Sequence, residues 1–290
     1  MRDQIVRAVA ADGTIRAFAA VTTHLVEEAR LMHDASGVAI AALGRTLTAA
    51  AIMSKMLKSE NDVLTIQIKG DGPLGSIVTV ADAEANVRGY VNNPFVELPL
   101  NSLGKFDVSG AVGKNGYLNV IRDLGLKEPY VGYVELYTGE IGEDIAYYYA
   151  FSEQVPSVVS LGVLVAPDGR VINAGGYIIQ MMPGAEDGLA EALENRIGSL
   201  KPVTTLLEEG KSPEDLLKLI LGEMGLEITE EYPCKYLCNC SRERMERNLI
   251  SLGEKEILEI ASEQHGAELQ CHFCNRKYYF TENELLGLIP

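Results

Sequence analysis

The sequence predicts an α+β protein, with a large domain that contains a mixed or antiparallel sheet, a helical linker and a small four-cysteine zinc domain. Three observations support this prediction. Residues 1–182 consist mainly of apolar segments of strand length, interrupted by a few helical segments. Residues 183–231 are acidic and contain short amphipathic helical patterns, and residues 232–290 contain every cysteine of the chain. These three ranges are the predicted domains.

Strand and turn patterns dominate the first domain. Two stretches of apolar residues are predicted to form hairpins with turns at residues 12–13 and 168–169, where an Asp-Gly pair suits the positive φ angles of such turns. The segments LTIQIKG and SIVTVADA alternate in polarity and are also predicted to be strands. These strands are expected to form the sheet of the large domain.

Helical patterns occur at three places in the same domain. Residues 24–33 are amphipathic, and residues 38–58 are so rich in alanine and leucine that this helix must be buried on most sides. The segment EIGEDIAYYYAFSEQ is predicted to be the third helix. The longest apolar stretch, Ala35 to Met53, is interrupted by a glycine and an arginine, so no membrane-spanning segment is expected.

Two glycine-containing patterns resemble nucleotide-binding motifs. Residues 70–75 match the G-x-G-x-x-G fingerprint, but that fingerprint requires a following helix, and a strand pattern follows here. A hairpin turn is the simpler explanation. Residues 210–212 resemble the end of a phosphate-binding loop, yet Ser212 is better explained as the N-cap of a helix that begins at Pro213. No nucleotide site is predicted.

The predicted linker is acidic and amphipathic. It contains twelve acidic and four basic residues, so its net charge of −8 is half of the −16 that the chain carries. Its apolar residues fall on two helical faces. The first face comprises Leu189, Leu193, Ile197 and Leu200, and the second comprises Leu216, Leu217, Ile220, Leu221 and Met224. Glycines and prolines divide these helices into short pieces that depend on tertiary packing. They would form either an ordinary helical subdomain docked on the sheet or a conditionally folded linker, and the adjoining zinc module favours the conditionally folded linker.

Four cysteines form two close pairs, Cys238-x-Cys240 and Cys271-x-x-Cys274, separated by thirty residues. Two short cysteine pairs of this kind predict a tetrahedral zinc site. A disulfide across a single intervening residue would be cramped and easily reduced, so the site is expected to change its redox state. Because losing the metal would unfold a small zinc module, the adjoining linker is expected to lose its structure as well.

Two further side chains near these pairs could contribute ligands. His272 lies between two of the predicted ligands, but four thiolates complete a tetrahedral site, so a solvated or outer-shell imidazole is expected. Cys234 is a fifth thiol that either replaces a ligand or exchanges with a new disulfide, or else behaves as a small buried hydrophobe, which we favour. The remaining histidines, His24, His33 and His265, lie in no catalytic constellation. No catalytic residue, and therefore no enzyme, is predicted.

Charge and cysteine usage limit the partners and the compartment. Residues 232–290 contain seven basic and nine acidic residues, whereas a zinc module that binds nucleic acid normally carries a basic stripe. No nucleic-acid partner is therefore expected. The amino terminus lacks a signal-peptide pattern, and the cysteines are clustered rather than spread as a disulfide framework, so a cytoplasmic location is expected.

Four segments carry a resemblance to a known family: EIGEDIAYYYAFSEQVPS, AGGYIIQMMPGA, CNCSRER and CHFCNRKYYF. In this order and spacing they resemble the bacterial 33 kDa chaperonin family, the redox-regulated heat-shock holdases, and the resemblance spans the whole chain. It implies that Cys238, Cys240, Cys271 and Cys274 bind one Zn²⁺ per chain in the reduced, inactive protein. Cys234 departs from the family pattern, which has four cysteines.

The resemblance also implies how the protein is activated. On oxidation, Cys238 would pair with Cys240 and Cys271 with Cys274, zinc would leave, and the linker would unfold to expose a surface for unfolded client proteins. The active form would be a homodimer. The apolar linker faces are the candidate client-binding surface, the linker's charge would keep the opened form soluble, and no ATP would be needed.

Two other classes of function remain as alternatives. A thiol-disulfide oxidoreductase would use Cys271-x-x-Cys274 catalytically, although that motif would be expected beside a βαβ unit. A zinc-ribbon module for protein or RNA partners would keep its metal under oxidant and would need a basic or aromatic surface patch. Zinc content measured before and after peroxide treatment separates the three classes.

Overall fold

The structure is a computed structural model that describes residues 2–185 and 188–289. The chain divides into two compact units, Met1–Leu237 and Cys238–Pro290. The second unit begins six residues later than the predicted zinc domain, because residues 232–237 belong to the first unit. The first unit combines large sheets with helices, which confirms the α+β class.

Sheet A is the first of two sheets in this unit. Its strands are all antiparallel, and their order is β10 (Glu227–Pro233), β1 (Gln4–Ala10), β2 (Ile15–Val21), β9 (Val171–Met181) and β8 (Ser157–Val165). The turns predicted at residues 12–13 and 168–169 join β1 to β2 and β8 to β9, and Gly13 and Gly169 have positive φ angles.

Sheet B has six strands and is mixed. Their order is β11 (Lys235–Tyr236), β5 (Asn86–Val91), β4 (Ser76–Asp82), β3 (Val63–Lys69), β6 (Tyr117–Asp123) and β7 (Tyr130–Glu135), with β11 parallel to β5 and the other pairs antiparallel. The glycine-rich loop at residues 70–75 joins β3 to β4 in a hairpin. A Cβ atom at Gly70 would lie 2.0 Å from the carbonyl oxygen of Val112, so close backbone packing explains this glycine.

The helices that precede the predicted linker are α1 (Thr23–His33), α2 (Gly37–Ser54), α3 (Val108–Val112) and α4 (Ile141–Phe151). Helix α2 is long and apolar enough to cross a membrane, but 89% of it is buried inside the protein, as expected of a central core helix. It packs among apolar residues of both sheets. The helix ends four residues before the predicted position 58, because the Asp62 carboxylate accepts the backbone N–H groups of Lys58 and Ser59 in a turn.

The central strand β2 of sheet A is buried on both faces. In β2, Phe18 and Ala20 contribute to the core around α2, whereas Ala17 and Ala19 on the opposite face contribute to a second apolar cluster. The helices that cover this opposite face are α5 (Leu189–Gly198), α6 (Val203–Glu208) and α7 (Pro213–Leu221). We call this face, with its buried residues Val6, Ala8, Ala10, Ile15, Ala17, Ala19, Val21, Tyr177 and Ile179, the outer face of sheet A.

The segment predicted as the linker therefore contains three short helices and the first residues of β10. Ser212 caps α7 in a capping box with Asp215, which confirms the predicted N-cap. A 3₁₀ turn at Gly222–Met224 follows, and the chain then pairs with β1 as an edge strand. The ion pair between Arg7 Nη1 and Glu230 Oε2, at 2.6 Å, links β1 to β10.

The second unit is small. It contains α8 (Arg242–Ile250), α9 (Glu254–Gln264), α10 (Glu282–Leu286) and a hairpin of β12 (Gly266–Gln270) and β13 (Lys277–Thr281). Its buried core comprises Met245, Leu249, Ile257, Ala261, Cys271, Phe280 and Leu285. So small a core provides little hydrophobic stabilisation, which is typical of modules that need a metal or disulfides to stay folded.

A four-cysteine candidate metal site

The β12–β13 hairpin positions the second cysteine pair. Its loop turns sharply because the Asn275 backbone N–H donates to the Cys271 carbonyl at 2.8 Å, and the Cys271 N–H donates to the Arg276 carbonyl at 2.9 Å. Asn275 has a φ of 57°, a left-handed conformation that asparagine tolerates better than most residues. The loop thereby turns the sulfurs of Cys271 and Cys274 toward the same point.

Helix α8 positions the first pair. Ser241 is its N-cap, and the Ser241 hydroxyl accepts the backbone N–H of Arg244 at 3.3 Å. The Arg244 guanidinium in turn donates to the side-chain oxygen of Asn239, the residue between Cys238 and Cys240, at 2.6 Å. The intervening residue of the C-x-C motif is thus held by the helix that follows it.

The structure brings the four cysteine sulfurs together, all within 4.8 Å of one another. The Sγ atoms of Cys238 and Cys271 are 3.6 Å apart, and those of Cys240 and Cys274 are 3.4 Å apart. Tetrahedral zinc with Zn–S bonds of about 2.3 Å separates its sulfurs by about 3.8 Å. Four soft sulfur donors at these separations fit a zinc ion.

Hydrogen bonds from N–H and O–H groups reach the sulfurs of Cys238, Cys240 and Cys274. The backbone N–H of Cys240 donates to Cys238, and that of Arg276 donates to Cys274. The hydroxyl of Tyr278 donates to the Cys240 sulfur at 3.1 Å. Such bonds stabilise thiolates, and they partly offset the cost of burying negative charge.

The thiol pKa values reflect the crowding of the sulfurs. Burial raises the pKa of Cys238 and of Cys274 above the usual value for a cysteine. At Cys240 burial acts in the same direction, but hydrogen bonds from Tyr278 and the neighbouring cysteines outweigh it and lower its pKa. Four negative sulfurs this close repel one another, so a divalent cation is the natural partner for all four as thiolates.

His272 and Cys234 lie outside this cluster. Among the residues that the structure describes, the group of close ligand atoms at this site consists of the four cysteines alone. His272 is exposed to solvent. Cys234 is 6% exposed in the core of the first unit, and its sulfur lies 3.8 Å from the Val21 carbonyl oxygen. This burial supports the interpretation of Cys234 as a small buried hydrophobe.

Replacing Cys234 with alanine is expected to leave metal content and oxidation of the other cysteines nearly unchanged. Burial raises the pKa of Cys234 to about 12, so almost no reactive thiolate forms near neutral pH. A serine there would bury a hydroxyl and cost about 1–3 kcal/mol, so alanine is the better variant. Metal analysis and mass mapping after peroxide treatment measure both properties. A dominant disulfide from Cys234 to Cys238 or Cys240 would contradict this expectation.

The other histidines have structural partners in separate places. His24 Nδ1 lies 3.1 Å from the Asp3 carboxylate, and His265 Nδ1 lies 3.0 Å from Glu282. His33 is buried, with Nε2 3.0 Å from the carbonyl oxygen of Gly89. None of these pairings contains a nucleophile placed beside a base.

The candidate client-binding residues of the linker all belong to the apolar cluster that includes the outer face of sheet A. Five of them are buried and four are partly buried, and all nine belong to one apolar cluster. The buried ones are Leu193, Leu216, Leu217, Ile220 and Leu221, and the partly buried ones are Leu189, Ile197, Leu200 and Met224. Most of this apolar surface is therefore covered in the folded protein.

The sequence did not show which face of the sheet these residues cover. Buried apolar residues of the outer face of sheet A and of the linker helices form one cluster. The sequence of β2 does indicate a second buried face, because IRAFAAV is apolar at consecutive positions rather than at alternate ones. Such a strand is buried on both faces, which indicates a covering layer on each side of the sheet.

Comparisons with known proteins agree along almost the entire chain. The model of the Hsp33 protein family matches residues 3–281. The chain is 61% identical over 289 residues to a 33 kDa chaperonin of Acetivibrio thermocellus, covering 100% of this chain and 97% of that protein. It is 57% identical over 289 residues to a 33 kDa chaperonin of Ruminiclostridium cellulolyticum, covering 100% and 98%.

A solved structure is similar as well. The crystal structure of the 33 kDa chaperonin from Thermotoga maritima, described as a heat shock protein 33 homolog, superimposes with a TM-score of 0.91. The sequences are 41% identical, and the match covers 99% of this chain and 98% of that chain.

Proposed function

The chain belongs to the Hsp33 protein family, and from that premise we propose that it is a redox-regulated chaperone that holds unfolding proteins without ATP. The observation that carries the proposal is the gathering of four cysteine sulfurs within 4.8 Å in a unit with a very small core. The names of its relatives describe chaperonins, a role that requires no catalytic residue. Unfolded or partly folded proteins would be its partners.

In the reduced protein, Cys238, Cys240, Cys271 and Cys274 would hold one Zn²⁺ per chain. When bound, zinc would keep the four sulfurs as thiolates, and thiolates are the form of cysteine that oxidants attack. The four cysteines also join the apolar core of the second unit. Metal affinity in such a module is folding free energy, on the order of 10 kcal/mol, so the same atoms would sense the oxidant and hold the fold.

Oxidation would convert the ligands into two disulfides, Cys238 with Cys240 and Cys271 with Cys274. All four sulfurs are within 4.8 Å of one another, so each thiolate has a partner in reach. Disulfide sulfur no longer offers the negative charge that a metal requires. The second unit would then lose both its metal and the larger part of its stability.

Unfolding of the second unit would reach the linker because the two segments are close together along the chain. We propose that residues 183–231 act as the linker and residues 232–290 as the redox switch, attached to the core domain 1–182. Strand β10 ends at Pro233 and β11 ends at Tyr236, only two residues before Cys238, so unfolding of the second unit would have to pass through β11 to reach the carboxyl end of the linker. Helices α5, α6 and α7 are ten, six and nine residues long, too short to persist without tertiary packing.

Release of the linker would expose two apolar surfaces at once. One is the set of nine linker residues from Leu189 to Met224, and the other is the outer face of sheet A that they cover. Contiguous apolar surface binds unfolded chains without directional chemistry. The charge of −8 on residues 183–231 would keep the opened segment soluble.

The proposal also covers the oligomeric state of the protein and its cellular compartment. We propose that the oxidised form is a homodimer and that the protein acts in the cytoplasm, where thiols are normally kept reduced. The net charge of −16 disfavours a nucleic-acid partner.

One experiment separates the proposed function from its alternatives. Zinc content and suppression of client aggregation are measured before and after hydrogen peroxide treatment, without nucleotide. The chaperone should lose zinc and gain aggregation suppression together. Zinc retained under peroxide would indicate a zinc-ribbon module instead. Catalysed disulfide exchange on a small dithiol substrate, without client holding, would indicate an oxidoreductase.

A further inference from the structure

The hydroxyl of Tyr278 lies 3.1 Å from the sulfur of Cys240 and donates a hydrogen bond to it. We propose that this bond sets the oxidant sensitivity of the four-cysteine site by slowing the attack of the Cys240 thiolate on hydroperoxides. Tyr278 is then a positioning residue for the redox reaction. The inference rests on the proposed zinc-thiolate switch and adds a specific control on its rate.

Strand alternation directs Tyr278 toward the sulfurs. It is the second residue of β13, pairs with Leu269 of β12, and packs against the core that includes Cys240. Its neighbour Tyr279 points to the opposite face, is 62% exposed, and bonds to the Glu268 carboxylate. Two tyrosines one residue apart therefore differ in whether they reach a sulfur.

Tyr278 also interacts with the side chain of Arg276. Arg276 is a cation, so its proximity to the phenol oxygen makes the phenol a stronger donor. The chain of contacts runs from Arg276 through Tyr278 to Cys240.

A hydrogen bond to a thiolate withdraws electron density from the sulfur that attacks the oxidant. Thiolate nucleophilicity falls as the thiolate is stabilised, and groups that bond to metal ligands tune their reactivity. Cys238 and Cys274 receive bonds from backbone N–H groups, which the fold itself fixes. The bond to Cys240 comes from a side chain, so its removal leaves the loop backbone intact.

The reaction that Tyr278 would slow is a two-electron oxidation by a hydroperoxide. The Cys240 thiolate sulfur attacks one peroxide oxygen, an S–O bond forms, the O–O bond breaks, and hydroxide leaves. A second cysteine thiolate then attacks the sulfur of the sulfenic acid, an S–S bond forms, and a second hydroxide leaves. Two protons from solvent convert both hydroxides to water.

The test compares Tyr278→Phe with Tyr279→Phe, which removes the same hydroxyl from the next residue of the same strand. Both full-length variants are loaded with zinc and treated with a short pulse of hydrogen peroxide. Zinc release is followed over time, and alkylation with mass mapping identifies the first cysteine oxidised. In Tyr278→Phe, oxidation of Cys240 and zinc release should be roughly five- to tenfold faster than in wild type. Tyr279→Phe should match wild type.

Zinc loss to a chelator, without peroxide, distinguishes a chemical role from a structural one. Tyr278→Phe keeps the ring in the core, so chelator-driven loss should stay close to wild type. Equal peroxide rates in wild type and Tyr278→Phe would overturn the inference, and so would an equal acceleration of chelator-driven and peroxide-driven loss. Absence of zinc from the reduced wild type would instead be a failure of the proposed function.

Discussion

Replacing any one of Cys238, Cys240, Cys271 or Cys274 with serine is expected to abolish zinc binding or weaken it at least a hundredfold. The four sulfurs lie within 4.8 Å of one another, and removing one leaves an open coordination position that a serine hydroxyl fills poorly. Since the second unit has so small a core, each variant should also lose protection from hydrogen exchange across residues 238–290. Metal analysis of the reduced proteins and hydrogen exchange measure the two effects.

The control is Cys234→Ala, which removes the thiol of the fifth cysteine without burying a hydroxyl. Cys234 lies in the core of the first unit, so this variant should retain one zinc per chain. Full zinc occupancy in all four serine variants would refute the assignment of the site. Zinc loss in only two of them would mean that fewer sulfurs serve as ligands.

Oxidation of the wild type is expected to release zinc and to raise hydrogen exchange across residues 183–231 at the same time as aggregation suppression appears. The reason is that α5, α6 and α7 are held by packing on the outer face of sheet A rather than by their own propensity. Peptide-resolved hydrogen exchange, measured during peroxide treatment together with zinc release and aggregation suppression, tests whether the three changes coincide. A linker that stays protected while the oxidised protein binds clients would place the binding surface elsewhere.

Leu216→Ala should produce the same opening without oxidation. Leu216 is fully buried against the outer face of sheet A, and its truncation should cost about 2–5 kcal/mol. We expect this variant to suppress aggregation in the reduced state while it still contains zinc. Leu64→Ala is the matched control, because Leu64 is equally buried but lies in the core around α2. That variant should lose stability without gaining activity while reduced.

Local patterns in the sequence were sufficient to predict much of the fold. The Asp-Gly turns and the buried helix α2 were predicted because each depends on residues close together in the chain. Strand β10 was not predicted, and its residues were divided between the linker and the zinc domain. Its sequence EITEEYP contains three acidic residues among seven and is mostly exposed, and it forms a strand because β1 presents a free edge with which it pairs.

The sequence by itself determined that four cysteines with the spacing of a metal site follow an acidic, amphipathic segment, because spacing and composition are properties of the chain alone. The tertiary structure decided which other residues these residues contact. It buried Cys234 away from solvent, covered the outer face of sheet A with the linker helices, and placed the Tyr278 hydroxyl on Cys240 rather than that of Tyr279. These contacts join residues far apart in the chain, and their energies depend on burial and distance, which exist only once the chain has folded.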